Sequence, residues 1–293
     1  MTRACAGIVA GELGNPEGID LQHDSLRLGV IGLGAVGSAL KHTLEYNFSN
    51  VAGHDLRGPD EWARILECRV VFVCVGTPGA DDGRLDCAAV ERVIEELDIA
   101  SFAGVIVVRS TLGVGFLRRT RERFPSSRIV YAPEFLRERS AFQWTVCPDR
   151  IVLSGIPADV EEVIAVFQTW TEDAPILIMD DASAEIAKLA HNALIAAKVT
   201  FTNQVESICR QTGADPSDVM GVIHADRRVM STAHLEPTST PFGGKCVPKD
   251  TRELASATEA PLLDTILAFN ARLLRDEPLL DPLLVPTPNT ATR

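Results

Sequence analysis

No apolar run in the chain approaches the ~20 residues that a bilayer-spanning helix requires, so no transmembrane segment is expected. The first 24 residues lack an apolar core and carry Glu12, Glu17, Asp20 and Asp24, which is not the pattern of a secretory signal. We read 1–24 as a flexible extension. Basic residues are the minority: 28 Lys and Arg stand against 40 Asp and Glu, and the net charge is −12. That balance gives no electrostatic footprint for nucleic acid or an anionic membrane, so neither is expected as a partner. A local anion site stays compatible with it, because backbone amides bind phosphate without net positive charge. There is no internal repeat. The cysteines number seven, an odd count in a chain too large to need stapling, which points to reduced thiols in the cytoplasm.

What remains is a globular composition, 46% hydrophobic and 23% charged over 293 residues, enough for one large domain or two ordinary ones. Order begins at Leu26–Ile31, a short apolar run of strand type, and flows through a glycine loop into a helical stretch ending near Leu44. Further strands are read at Val51–Asp55, Val70–Val75, Val105–Val108 and Arg128–Tyr131. Helical patterns lie between them at Ala88–Leu97 and Phe116–Phe124. Strand and helix in alternation predict an α/β fold, a Rossmann-type doubly wound parallel sheet. Ile151–Leu153 and Ile176–Ile178 read as additional strands around a helix near 159–169.

After Asp180 the character changes. From Ser183 to Cys209 there is neither Gly nor Pro, and apolar residues recur at helical spacing, which predicts one helix of about 40 Å. Gly213 follows its end, and Asp215-Pro216 starts the next helix. The expected organisation is a dinucleotide-binding domain at 25–179, an all-helical domain at 180–275 and a frayed tail at 276–293.

Two segments carry chemistry. Gly32-Leu33-Gly34-Ala35-Val36-Gly37 sits between a predicted strand and a predicted helix, the setting in which such a loop binds a pyrophosphate. Gly32, Gly34, Ala35, Val36 and Gly37 would then touch the cofactor. Asp55, at the end of the second strand, would accept hydrogen bonds from ribose hydroxyls and so favour NAD over NADP, a preference that Arg57 weakens. The second segment is Pro241-Phe242-Gly243-Gly244-Lys245-Cys246-Val247-Pro248-Lys249-Asp250. Two glycines precede its thiol and two lysines flank it, and neighbouring cations favour the reactive thiolate. Cys68, Cys74, Cys87, Cys147 and Cys209 read as structural.

With these segments in view the chain resembles the UDP-glucose/GDP-mannose 6-dehydrogenase family from residue 27 to about 272. The resemblance rests on six ordered motifs. They are the glycine loop, Val75-Gly76-Thr77-Pro78 with Asp82-Gly83-Arg84-Leu85-Asp86, and Arg109-Ser110-Thr111. Ala132-Pro133-Glu134-Phe135-Leu136-Arg137-Glu138 with Pro148-Asp149-Arg150, Lys188-Leu189-Ala190-His191-Asn192 and the Cys246 segment complete the set. It implies a Rossmann domain, a helical domain that dimerises through its long helix, and two successive hydride transfers to NAD that turn a primary alcohol into a carboxylate. The substrate it implies is a sugar nucleotide, or a smaller nucleoside or sugar phosphate. After Asn270 too few residues remain for a further domain of ~100 residues, so the chain is expected to be a short member without the C-terminal sugar-nucleotide-binding domain. Lys245 and Ala132 also depart from the family pattern.

Lys188 and Asn192 share a helix face at i,i+4 and can stabilise one oxyanion. Cys246 can capture an aldehyde as a thiohemiacetal that becomes a thioester. Glu134, helped by Thr111, can activate or position the hydrolytic water. The resemblance gives Asp250 a role in proton transfer. It puts Thr77, Ser110, Thr111 and Glu138 beside the nicotinamide, and Phe135, Leu136, Arg137, Arg228, Phe242, Gly243 and Gly244 against the substrate. No metal is expected. Two other readings stand beside this one: a two-electron 3-hydroxyacid-type dehydrogenase, which has no use for the thiol, and a non-catalytic nucleotide-binding partner subunit.

Overall fold

In the computed structural model, the described residues are 26–58, 60–171, 173–226, 229, 240–257 and 261–275. The apolar runs form strands because a parallel sheet with both faces covered needs unbroken rather than alternating hydrophobicity. In chain order the elements are β1 (Leu28–Ile31), α1 (Ala35–Asn47), β2 (Val51–His54), α2 (Trp62–Ile65), β3 (Val70–Val73), α3 (Ala88–Ile99), β4 (Val105–Val108), α4 (Phe116–Arg123) and β5 (Arg128–Tyr131). A 3-10 turn (Glu138–Ser140) leads into α5 (Ala141–Val146), β6 (Ile151–Leu153), α6 (Pro157–Phe167) and β7 (Ile176–Ile178). Then come α7 (Asp181–Thr212), α8 (Pro216–Ala225), α9 (Val247–Ala257) and α10 (Pro261–Leu274).

The main sheet is parallel throughout, in the order β2-β1-β3-β4-β5. Its order reverses between β1 and β3, the crevice in which doubly wound sheets bind ligands. Alternate strand residues feed two apolar layers. Ile31, Val71, Val73, Ile106, Val108 and Ile129 pack with residues of α3 and α4, while Leu28, Val30, Phe72, Val107 and Val130 pack with residues of α1 and α6. The last two strands do not extend this sheet. β6 and β7 pair with each other, and β6 reaches β5 only through an isolated antiparallel bridge between Tyr131 and Ser154.

The long helix starts at Asp181 and runs to Thr212, somewhat longer than its apolar period suggests. The next helix is capped as read, with the Asp215 carboxylate accepting from the Ser217 and Asp218 amides. The short helices α2 and α5 carry too few residues to show a period. The structure divides into two compact units at a different place from the expected 179/180 junction. The first takes the described residues to Pro78 and Asp86–Lys188; the second takes Gly79–Leu85 and the described residues from Leu189 onward. The first two turns of α7 go with the first unit because their polar groups are spent there. Asp181 pairs with Arg121, and Glu185 accepts from the Gly115 and Leu117 amides at the start of α4. In the second unit Ala196, Phe242 and Ile266 form the buried apolar cluster. No helix among the described residues is long and apolar enough to cross a membrane.

Candidate active site

The glycine loop leaves β1 at its carboxyl end and turns into α1. Gly32 has φ +87°, and a Cβ there would lie 2.9 Å from the Cys74 backbone; one at Gly37 would lie 1.8 Å from the Gly32 carbonyl oxygen. A Cβ at Gly34 would meet nothing within 4 Å, so the approach to the loop is open at that residue. Gly34 is the N-cap of α1 and brings no capping side chain. The amides of Ala35, Val36 and Gly37 occupy the first turn, where helix geometry supplies no internal acceptor and the dipole is positive. The Leu33 amide donates to Asp55 Oδ2 at 2.7 Å and the Arg57 amide to Oδ1 at 2.9 Å. These two amides, Arg57 first, hold the Asp55 carboxyl below its ordinary pKa. The open glycine, bare helix start and fixed carboxylate fit a dinucleotide: the loop for its pyrophosphate, Asp55 for a ribose. Thr77 and Ser110 are buried beside the sheet's carboxyl end, and Ser110 Oγ donates to the Val75 carbonyl at 2.7 Å.

Also in the first unit, Glu134 and Lys188 meet across a long sequence separation. Lys188 Nζ donates to the Glu134 carbonyl at 2.7 Å and pairs with its Oε1 at 3.1 Å, while Oε2 accepts from the Leu136 amide at 2.8 Å. Both side chains are buried, with 2% of Lys188 and 8% of Glu134 exposed. A buried pair of this kind is held only by good geometry and further hydrogen bonds, and both are present. Lys188 also lies over the Phe135 ring, 5.4 Å from its centroid. Thr111 is buried; Leu136 is half-buried; Arg137 is exposed and lies over Trp144. Arg228 lies outside the described residues, as does the side chain of Glu138.

In the second unit a chain of polar contacts centres on Asp250. Its carboxylate accepts from Asn192 Nδ2 and from Lys249 Nζ, each at 2.6 Å, and the residue is fully buried. His191 Nδ1 contacts Asn192 Oδ1 at 3.1 Å, which orients the amide so that its nitrogen faces the acid. Cys246 precedes α9, and its carbonyl accepts from the Asp250 amide, the first bond of that helix. Cys246 therefore stands exposed at a helix N-terminus. The structural cysteines behave otherwise: burial pushes the Cys68 thiol up to about 11 and the Cys74 thiol up to about 12.

Phe242, expected against substrate, places its ring in the apolar cluster with Ala196 and Ile266. Asn270 clamps its backbone, accepting from the Phe242 amide at 2.8 Å and donating to its carbonyl at 3.0 Å. Gly243 and Gly244 are exposed beyond this anchor. Sequence reasoning missed Asn270, and it missed Glu253. The Glu253 carboxylate is fully buried, accepts from the Leu85 amide at 2.5 Å and pairs with Arg84 at 3.1 Å, fastening Gly79–Leu85 to α9. Lys249 and Arg109 stood inside quoted motifs, yet nothing local revealed their partners. Among the described residues there is no group of acidic, His and Cys side chains that could hold a metal ion.

Two models of one family match the chain. The NAD binding domain of the UDP-glucose/GDP-mannose dehydrogenase family matches residues 43–171, and the central domain of the same family matches residues 182–272. A UDP-glucose 6-dehydrogenase of Pseudomonas aeruginosa is 32% identical over 234 residues, covering 74% of this chain and 51% of that protein. A GDP-mannose 6-dehydrogenase of Pseudomonas savastanoi pv. phaseolicola is 29% identical over 291 residues, 91% of this chain and 65% of that protein. Among solved structures, a UDP-glucose dehydrogenase from the hyperthermophilic archaeon Pyrobaculum islandicum superposes with a TM-score of 0.73 at 25% identity, covering 88% of this chain and 69% of that one. The chain spans about half the length of the Pseudomonas aeruginosa enzyme.

Proposed function

Because the chain belongs to the UDP-glucose/GDP-mannose dehydrogenase family, we propose that it oxidises a primary alcohol to a carboxylic acid in two steps on one substrate. The cofactor is NAD. The substrate class is a sugar nucleotide, or a smaller nucleoside or sugar phosphate. NAD, when bound, accepts one hydride per molecule, so two molecules serve each product.

The observation that carries the reading is the exposed Cys246 thiol at the start of α9, one turn ahead of the buried Asp250 that Asn192 and Lys249 hold. Asp55 and the glycine loop bind and orient the cofactor. Lys188 and Asn192, one turn apart on α7, stabilise the alkoxide of the alcohol and the later oxyanions. Cys246 Sγ adds to the aldehyde carbon, forming a C–S bond and a thiohemiacetal; after the second oxidation the carbon is a thioester. Glu134 positions the water whose oxygen displaces sulfur, releasing the carboxylate and restoring the thiol. Asp250 takes part in proton transfer at the sulfur. Residues 25–179 serve as the cofactor domain and 180–275 as the domain of catalysis and dimerisation.

The partner for dimerisation is a second copy of this chain. Leu194, Phe201 and Ile208 recur every seventh residue along α7 and are 60%, 54% and 49% exposed. Sedimentation at micromolar concentration should find a dimer, and a monomer alone would refute this. The compartment we assign is reducing, the cytoplasm, a reading that the free thiols among the described residues support.

The test of the chemistry counts NADH against carboxylate over a panel of uridine and guanosine sugar nucleotides and nucleosides with free 5′-hydroxyls. Two NADH per carboxylate are expected. Cys246→Ser should lower carboxylate formation by about a thousandfold or more while NAD binding persists. Carboxylate formed at the native rate by that variant would sink the thioester route. Unchanged turnover in Cys246→Ala with one NADH per product would favour the two-electron dehydrogenase. NAD bound with no turnover across the panel would favour the binding subunit.

A further inference from the structure

Glu185 is a buried carboxylate of the first unit that takes no part in the chemistry above. It is 1% exposed and lies on α7 one turn before Lys188. Its Oε2 accepts from the Gly115 amide at 2.6 Å and its Oε1 from the Leu117 amide at 2.7 Å. Gly115 is the N-cap of α4, with φ +77° and no side chain to accept from the first amides. The long helix therefore supplies the cap that the local sequence of α4 lacks. Burial pushes the Glu185 carboxyl above its ordinary pKa, and the two amides offset that only in part; Asp181 and Arg119 act more weakly. An ion is unfavourable to hold in such a place unless its hydrogen bonds are well made, and both of its oxygens are committed to one helix start.

The chain just ahead of that start carries Thr111. The sheet anchors one end of the segment: the Arg109 amide donates to the Val73 carbonyl at 2.8 Å, and Ser110 Oγ to the Val75 carbonyl at 2.7 Å. Glu185 anchors the other end at Gly115, and Thr111, Leu112 and Gly113 are buried between the two. Asp181, Glu185 and Lys188 recur at helical spacing on one face of α7. That face thus holds both the segment carrying Thr111 and the lysine that meets Glu134. We propose that Glu185 is a positioning residue for the water step: by capping α4 it fixes Thr111 against the Glu134–Lys188 pair. The proposal rests on the two-step reading, in which Thr111 helps Glu134 deliver the water. In that step the water oxygen bonds to the acyl carbon and the C–S bond breaks. One proton returns to the sulfur, the other leaves as the carboxylate ionises, and no electrons change hands.

Single turnovers of the full chain, with NAD and the panel member that the native chain oxidises fastest, are quenched at intervals. Intact-protein mass spectrometry counts the acyl group on Cys246, and absorbance counts NADH. In Glu185→Ala both NADH should still form, while loss of the acyl group slows about ten- to a hundredfold. If Glu185→Ala does not fold, Glu185→Gln decides. Its carbonyl oxygen still accepts from one amide but its NH2 faces the other, so a several-fold slowing is expected. Two further variants separate positioning from plain stability. Added to Thr111→Ala, Glu185→Gln should slow deacylation no further, because both act through one hydroxyl. Asp181→Asn loosens the far end of α4 at Arg121, and should lower Tm while deacylation stays native. Native deacylation in Glu185→Gln overturns the proposal. So does additive slowing in the double variant, or equal slowing in Asp181→Asn. Those three results leave the two-step reading standing, whereas a native chain that never carries an acyl group on Cys246 removes both.

Discussion

The two units hold their functional groups by different means. In the first, main chain positions the site: the Gly32 amide donates to the His54 carbonyl, the Leu33 and Arg57 amides hold Asp55, and Ser110 is tied to the Val75 carbonyl. Two apolar layers on either face of the sheet support that arrangement. In the second, the apolar cluster is small, and buried side chains fix the loops: Asp250 with Asn192 and Lys249, Glu253 with Arg84 and Leu85, Asn270 with Phe242. The difference follows from backbone satisfaction. Strands end with their ladder complete, whereas the segments around the helices have amides and carbonyls that only side chains can reach.

The comparison can be broken most sharply in the sheet. Phe72→Ala should cost about 3–5 kcal/mol in denaturant unfolding, because the fully buried ring leaves a cavity between sheet and helix. A loss below about 1 kcal/mol would mean that apolar burial does not carry the first unit. In the second unit, Glu253→Ala should cost about 2–3 kcal/mol by stranding the Leu85 amide and freeing Arg84, which is itself partly exposed. Glu253→Gln, which keeps an acceptor, should recover part of that loss; recovery of none would make charge, not hydrogen bonding, the reason for the clasp. A smaller effect is expected of Asn270→Ala, about 1–2 kcal/mol, with faster hydrogen exchange at the Phe242 amide as its signature. Unchanged exchange there would show that the anchor is the ring and not the amide.

The smallest effects are pH slopes at the start of α7. Burial alone would raise the Asp181 carboxyl, but Arg121 and Ser154 hold it below its ordinary value. The unfolded chain then takes up the proton first as acid is added. The stability from this group is therefore present above the unfolded pKa of ~3.9 and is lost as the pH falls through the native value. Glu185 runs the other way: burial raises it, so stability is lost as the pH rises from the unfolded to the native value. Asp181→Asn should flatten the acid slope of unfolding free energy and Glu185→Gln the slope above it. Slopes unchanged in both variants would remove these carboxylates from the account.

Most of the first unit was legible because its signals are local. Each strand is a buried apolar run, Gly32 and Gly37 are required by contacts within their own loop and the neighbouring strand end, and the break after Asp180 marks a helix by its missing Gly and Pro. The Cys246 segment stood out because two glycines precede its thiol and two lysines flank it, but the helix that starts at Val247 was not read from it. The packing of Phe242 was not legible, because an aromatic next to glycines carries no local sign of which way its ring turns. The division into compact units at Lys188 has no local sign either, since the period of α7 is continuous there.

By itself the sequence determined the parallel sheet, the long helix and the glycine turn from β1 into α1, because each is encoded by residues adjacent in the chain. Tertiary structure alone decided that Lys188 meets Glu134 across 54 residues, Asn192 meets Asp250 across 58 and Glu253 meets Leu85 across 168. It also left Arg109 buried without a hydrogen bond to its Nε. Propensity and period act over a few residues, whereas a buried charge takes whichever partner the packed chain brings within hydrogen-bonding distance.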